Sequence, residues 1–409
     1  MFEDYEKITI LHSICNNSEL VLKLNIFFLE TFKNYCKFLV ISIFLLFVAA
    51  CDNNIYISNS VYWKNNSFVN ASKGYIDIVV SGATGVKWNA SIDEGSEWCT
   101  FGSNETLLTE VSGFITSGEN YFRIYHQTNY SPAGREAKIT FRFENEDEQV
   151  LTLKQMPAYT AFTETPQKTD DEQFQYVTHY TTLKSKAVRN YSICFDKSRK
   201  AALWVAYPLH PAYLGSVSRT DEWGYDPLIY FQHQPDCVFN SYGGSYDRGH
   251  QLPSADRLAT REMNVQTFYM SNMTPQYNRL NQDMWAKLEM KVRANNCSDT
   301  LFVVTGAWFE SDSKTTTDGV GARVPVPTHY YKVLLRTVSG SSGKSIAKCS
   351  DNEIKTIGFW VEHRSYGDIE PPRSICVSVS EIEAKTGLKF FPGVSEVVKK
   401  QNNPSQWGL

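Results

Sequence analysis

Apolar and polar residues alternate one for one along Ala137-Lys138-Ile139-Thr140-Phe141-Arg142-Phe143, and the same character returns in Ile76-Asp77-Ile78-Val79-Val80. Successive side chains of a strand point to opposite faces, so a period of two marks strands buried on one side only. Turn-forming residues separate the runs at Ser81-Gly82, Gly102-Ser103-Asn104 and Pro132-Ala133-Gly134. Roughly seven short strands in about a hundred residues predict an all-β, immunoglobulin-like sandwich over residues 61–158. The alternation then stops. Residues 159–175 are polar, contain Pro166 and read as a linker. From 176 to 409 the character is mixed, and an α+β domain with a central antiparallel sheet is expected. Residues 191–195 and 201–207 are apolar runs around Asp196-Lys197-Ser198-Arg199-Lys200, a hairpin pattern. Met284, Leu288 and Val292 recur at intervals of four, which predicts a helix over 282–294. A short helix is expected over 380–386, ended by Gly387.

Upstream of the alternating region, residues 38–50 are apolar except for Ser42 and follow Lys33 and Lys37. Such a run is shorter than the ~20 residues that span a bilayer and fits the h-region of a signal peptide. It ends Val48-Ala49-Ala50-Cys51, which resembles a bacterial lipobox. Residues 1–51 are therefore read as a signal peptide in which Cys51 becomes lipidated, and 52–60 as a tether. A protein anchored in the cell envelope, as an outer-membrane or surface lipoprotein, is the expectation. Six further cysteines follow, Cys99, Cys194, Cys237, Cys297, Cys349 and Cys376, with no C-x-x-C pair among them. A structural zinc site is not expected.

The formal charge of −4 argues against a chain that binds polyanions by bulk neutralisation. Any contact with a polyanion must come from a few placed arginines and a metal. Asp247-Arg248-Gly249-His250-Gln251-Leu252-Pro253 supplies such a placement. Arg248 and His250 project from the same side of an extended segment, and Gly249 lets backbone or substrate approach. Arginine presents a planar fork of donors to phosphate, and a histidine accepts a proton near neutral pH. Downstream come Ser271-Asn272-Met273-Thr274-Pro275-Gln276, then Asn281, Trp285 and Glu289. Asn281 and Glu289 are ~12 Å apart along a helix axis, too far to share one coordination shell easily. If Asn281 binds a metal, Glu289 fits better as the holder of a metal-bound water, and one neutral protein ligand with many waters suits Mg²⁺.

Residues 176–409 resemble the DNA/RNA non-specific endonuclease family, the ββα-metal nucleases. Besides the segments above, the resemblance rests on Arg189-Asn190-Tyr191-Ser192, Leu203-Trp204-Val205-Ala206-Tyr207-Pro208, Val303-Val304-Thr305-Gly306, His329-Tyr330-Tyr331-Lys332-Val333 and Thr386-Gly387-Leu388. It implies cleavage of DNA and/or RNA to 5′-phosphate and 3′-hydroxyl ends, with Mg²⁺ or Mn²⁺ as cofactor. By position it makes His250 the general base, Asn281 the metal ligand and Glu289 the group orienting metal-bound water. Arg248 would contact phosphate, Asn272 would support the site by hydrogen bonding, and Asp247 would brace the loop. Arg219, ahead of Asp226-Pro227, sits where the family often has a phosphate-contacting arginine, although the local spacing is looser. His329 and His363 lie in strand-like runs and read as scaffold, Tyr277 and Trp285 as packing, and Lys399-Lys400 as a solvated end.

Residues 61–158 resemble the BACON family, a bacterial domain often found ahead of an enzyme. Val86-Lys87-Trp88-Asn89-Ala90-Ser91, Trp98, Arg135-Glu136-Ala137-Lys138-Ile139-Thr140 and Leu151-Thr152-Leu153-Lys154-Gln155 carry that likeness. The family implies carbohydrate binding, for which Trp88 and Trp98 are the candidate platform; tryptophans of a sandwich are more often core, and a spacer is the preferred reading. The alternative function is a glycan-binding surface lipoprotein with secondary nuclease activity. A secreted toxin is a third, disfavoured by the lipobox.

Overall fold

The computed structural model describes residues 58–103, 106–144 and 148–409, so the signal-peptide and lipobox reading, Cys51 included, lies outside the described residues. Nine strands form two sheets in the N-terminal region: β1 (Ser60–Trp63), β2 (Phe68–Val69), β3 (Gly74–Ser81), β4 (Lys87–Glu94), β5 (Cys99–Thr100), β6 (Glu110–Phe114), β7 (Asn120–His126), β8 (Arg135–Phe143) and β9 (Gln149–Gln155). One sheet runs β1-β3-β7-β5 and the other β2-β9-β8-β4-β6. Two strands beyond the expected seven are the two-residue β2 and β5, too short for any period to register. In β8, Ala137, Ile139, Phe141 and Phe143 point inward while Lys138 and Arg142 pair outside with Glu94 and Glu148. The inward residues of both sheets share one core with Ile78, Trp88, Ile124 and Leu153. Trp88 and Trp98 are 8% and 2% exposed. Both belong to that core, so neither can serve as a sugar platform.

Of residues 159–175, read as a linker, 159–173 are laid down as a strap and 174–175 already open the first strand of the next sheet. Thr160 donates its backbone N–H to Thr178 Oγ1 at 3.0 Å, and Gln167 donates to the Lys389 carbonyl at 2.8 Å. Glu164 is fully buried and paired with Arg189, whose guanidinium lies 3.9 Å from the centre of the Phe162 ring. A polar composition suggested solvation, but here the polar groups find partners on the next domain. Removing one member of a buried ion pair strands the other charge. Glu164→Ala is therefore expected to lower stability by about 3–5 kcal/mol in denaturant unfolding; a change below about 1 kcal/mol would show that the strap adds nothing.

The C-terminal sheet has seven antiparallel strands in the order β10 (Phe174–Leu183), β11 (Lys186–Asp196), β12 (Ala201–Leu209), β15 (Leu301–Trp308), β18 (His329–Thr337), β19 (Ile354–Glu362) and β20 (Cys376–Val377). Two further pairs stand apart: β13 (Tyr246–His250) with β14 (Met273–Tyr277), and β16 (Thr315–Thr317) with β17 (Arg323–Pro325). The apolar runs on either side of 196–200 are the hairpin β11–β12. Central strands such as β12 are buried almost throughout, which fits a sheet covered on both faces. Met284, Leu288 and Val292 seat a helix in this core. That helix starts earlier than its period suggested, at Asn278, and is broken at Asp283 by a π-turn over Asn281–Trp285 before Ala286–Ala294 continues. Val379–Thr386 forms the expected short helix, with Ser378 and Glu381 in a capping box and Gly387 at φ 72° as its left-handed cap.

Lys399 is not part of a solvated end. It is buried and donates to Glu383 Oε1 at 3.1 Å, because the chain beyond it folds back to bury Trp407.

Candidate active site

Two short strands and a helix build the site. Asp247, Arg248, Gly249 and His250 on β13 face Gln276, Pro275, Thr274 and Met273 on β14. The pleat puts Arg248 and His250 on one side. Gly249 is required by its neighbour rather than by substrate: a Cβ there would lie 2.4 Å from both Cβ and Oε1 of Gln276.

The His250 ring is wedged between aromatic edges, with ring centres 5.5 Å from Trp223 and 5.0 Å from Phe268. Its Nε2 is buried and has no hydrogen-bond partner. Burial first, then the positive charges of Arg219 and Arg248, push the imidazole down to about 3. The ring is a neutral base.

Arg248 stacks its guanidinium 3.6 Å from the Trp223 ring centre, and Nη1 donates to the carbonyls of Cys237 and Val238 at 3.0 and 3.2 Å. Arg219 is brought to the same place: Nη1 donates to Ser254 Oγ at 2.9 Å, Nε to Asp221 at 2.8 Å, and the guanidinium lies 4.7 Å from the Phe268 ring centre. Both arginines keep N–H groups unused by these contacts.

Asn281 donates Nδ2 to Asp247 Oδ2 at 2.9 Å, and Gln282 donates to the same oxygen at 2.8 Å. An ionised carboxylate only accepts, so the Asn281 NH₂ must face Asp247 and Oδ1 is turned away as a free oxygen donor. Asp247 is the brace for that amide.

Residues 171–397 match the DNA/RNA non-specific endonuclease family, more than half of the chain. The chain belongs to that family. Mitochondrial endonuclease G of Bos taurus is 30% identical over 223 residues, covering 52% of this chain and 70% of that protein. A nuclease of Nostoc sp. is 31% identical over 218 residues, covering 50% and 72%. Nuclease C1 of Cunninghamella echinulata var. echinulata is 31% identical over 218 residues, covering 49% and 80%. The crystal structure of the EndoG/EndoGI complex aligns with 54% of this chain and 89% of its own at 22% identity and TM-score 0.42.

Two sequence-predicted residues of the endonuclease take other surroundings than the rest. Asn272 is fully buried and its amide is committed to backbone: Oδ1 accepts from Leu252 N at 2.9 Å, and Nδ2 donates to the carbonyls of Leu252 and Thr267 at 3.0 and 2.8 Å. It positions the chain after His250 through these bonds. Glu289 faces a charged cluster that sequence reasoning missed: Lys332, Asp256 and Arg293. Arg293 is ion-paired to Asp256 at 2.6 Å, while Lys332 is fully buried, donates to Thr305 Oγ1 at 3.2 Å and lies 4.6 Å from the Trp285 ring centre. Arg293 at i+4 from Glu289 was the available signal; nothing local marks Lys332. His329 stacks on Trp360 with centroids 4.8 Å apart, and His363 accepts from Tyr277 N at 2.6 Å, so both serve packing.

Desolvation raises the Glu289 carboxyl above its usual range, against the opposing pull of Lys332 and Arg293. A carboxyl held more protonated in the fold than in the unfolded chain loses stability as pH rises through and beyond the ordinary carboxylate range. Glu289→Gln removes that loss. The variant should gain about 1 kcal/mol or more over the parent at pH 8 relative to pH 5, while turnover falls. Equal stability differences at both pH values, read by urea unfolding, would contradict this.

Proposed function

We propose that this endonuclease hydrolyses DNA and/or RNA with His250 as general base, Arg248 and Arg219 as phosphate contacts and Mg²⁺ held through Asn281. The observation that carries it is the buried, unpartnered Nε2 of His250 beside two guanidinium groups. The ring nitrogen that carries no proton accepts one from an attacking water. The guanidinium groups then meet the charge on the phosphate, with Trp223 and the carbonyls of Cys237 and Val238 holding Arg248 in place. Among the described residues no cluster of three His, Cys, Asp or Glu side chains stands ready for a metal. The free oxygen of Asn281 does fit a hard cation that retains most of its waters; Mn²⁺ shares that chemistry. Bound there, the cation would supply charge for the leaving oxygen, and Glu289 would orient its waters. The products would carry 5′-phosphate ends.

We further read residues 1–51 as an export signal with lipidation at Cys51, which places the enzyme at the cell envelope, and the N-terminal pair of sheets as a BACON-like, immunoglobulin-type spacer. A glycan-binding role has less support. Trp88 and Trp98 are interior, and the faces of exposed Tyr75 and Tyr121 are covered by Arg123 at 3.6 Å and Lys64 at 4.3 Å. Purified protein incubated with plasmid, single-stranded DNA and RNA, with and without Mg²⁺, tests the reading. Cleavage of at least one substrate only with the cation, leaving 5′-phosphate ends, is expected; 3′-phosphate ends would refute it.

A further inference from the structure

The loop leading into β13 carries aromatic side chains that the chemistry above leaves unused. Phe239 is 92% exposed, Tyr230 58% and Phe231 53%. A large apolar ring held in water loses the favourable burial it would gain inside. This loop is nevertheless well tied. Cys237 sits in a small core with Tyr242, Met270, Met273 and Val324. Asp236 donates its backbone N–H to Asp318 at 3.2 Å, and Asn240 donates to the Gly319 carbonyl at 3.2 Å. Bonds on both sides of Phe239 hold the chain while its ring faces solvent.

A second observation ties that segment of chain to the site. The carbonyls of Cys237 and Val238 are the acceptors that hold the Arg248 guanidinium. Phe239 is thus one residue, ~3.8 Å of chain, from the group that grips a phosphate contact. A scissile phosphate placed on Arg248 has a nucleobase on either side. Every base has a π-face, so stacking adds affinity without reading sequence. That suits a family that is non-specific and a chain whose net charge of −4 provides no bulk attraction for a polyanion. Tyr230 and Phe231, with ring centres 5.1 Å apart, extend from the same small core through Tyr225, 6.2 Å from Phe231.

We propose that Phe239, with Tyr230 and Phe231 as a second ledge, is a stacking platform for an unpaired nucleobase next to the scissile phosphate, and that single-stranded nucleic acid is therefore the preferred substrate. The proposal rests on the nuclease reading of Arg248 and His250. A duplex base is already stacked and paired and must be pulled free before it can use the ledge.

The test is a cleavage map rather than a rate. A 5′-labelled single-stranded oligonucleotide carrying one abasic position, moved along the strand, is digested to low conversion with Mg²⁺. The parent protein should cut the phosphate served by the missing base ~10-fold less than the same phosphate in the intact strand. Phe239→Ala should cut the intact and abasic strands alike there, and Phe239→Trp should restore the contrast. Because the ring is exposed, the alanine variant is expected to fold, checked by its unchanged melting temperature. A parent map indifferent to the abasic position, or the same contrast in Phe239→Ala, would overturn the platform. A parent protein that cuts neither oligonucleotide nor plasmid would instead overturn the nuclease reading, and the platform with it.

Discussion

His250→Ala should lower phosphodiester hydrolysis by ~10²–10⁴-fold, the range usual for loss of a general base. The loss should fall on kcat rather than KM, because the contacts of Arg248 to Trp223 and to the carbonyls of Cys237 and Val238 do not depend on the imidazole. The variant should fold, since Nε2 makes no bond to lose. A pH profile sharpens the prediction. Burial and the nearby charge of Arg219 hold the ring at about 3, well below the ~6.5 of a free imidazole. A base protonates as pH falls through its pKa, so the acid limb of kcat/KM for the free enzyme should lie far below pH 6.5. Arg219→Gln removes a repelling cation and should move that limb upward. Near-parent turnover in His250→Ala would sink the assignment; an acid limb unmoved by Arg219→Gln would detach Arg219 from the site.

Chelation with EDTA should abolish cleavage, with Mg²⁺ or Mn²⁺ restoring it, and Asn281→Ala should lower turnover ~10²–10³-fold, the order of several kcal/mol of charge stabilisation. The more discriminating variant is Asn281→Asp. An aspartate is ordinarily the better ligand for a hard cation. Here it would set a second carboxylate where the Asn281 amide now donates to Asp247 at 2.9 Å. Like charges at that separation repel and the orienting hydrogen bond is lost, so the side chain should swing from its present direction, with turnover below the parent's even at saturating Mg²⁺ and a shifted Mg²⁺ midpoint. Plasmid relaxation across a Mg²⁺ titration reads both effects. Full turnover in EDTA, or parent-like behaviour of Asn281→Ala, would remove the metal role from this residue.

The alternation at 137–143 is legible because a strand with one wet face must repeat every two residues, and β8 buries Ala137, Ile139 and Phe141. The interval of four at Met284, Leu288 and Val292 likewise marks a helix resting on a sheet. Boundaries and breaks were less legible. The π-turn at Asn281–Trp285 carries no period of its own, and the strap at 159–173 has the composition of a linker because its partners, such as Arg189 for Glu164, lie on another part of the chain.

By itself, then, the sequence determined the residue types of the chemistry and their local phase. Arg248 and His250 fall on one side of a strand because the pleat has a period of two, and Asn281 falls just ahead of the helical period that carries Glu289. Tertiary structure decided what each of these groups can do. Trp223 and Phe268 close around His250, Arg219 arrives from an earlier loop to keep the ring neutral, and Asp247 orients the Asn281 amide across two elements. Asn272, equally prominent in the sequence, is drawn inward to hold backbone. The reason is physical: protonation state and donor direction depend on burial and neighbouring charge, and only long-range packing sets those.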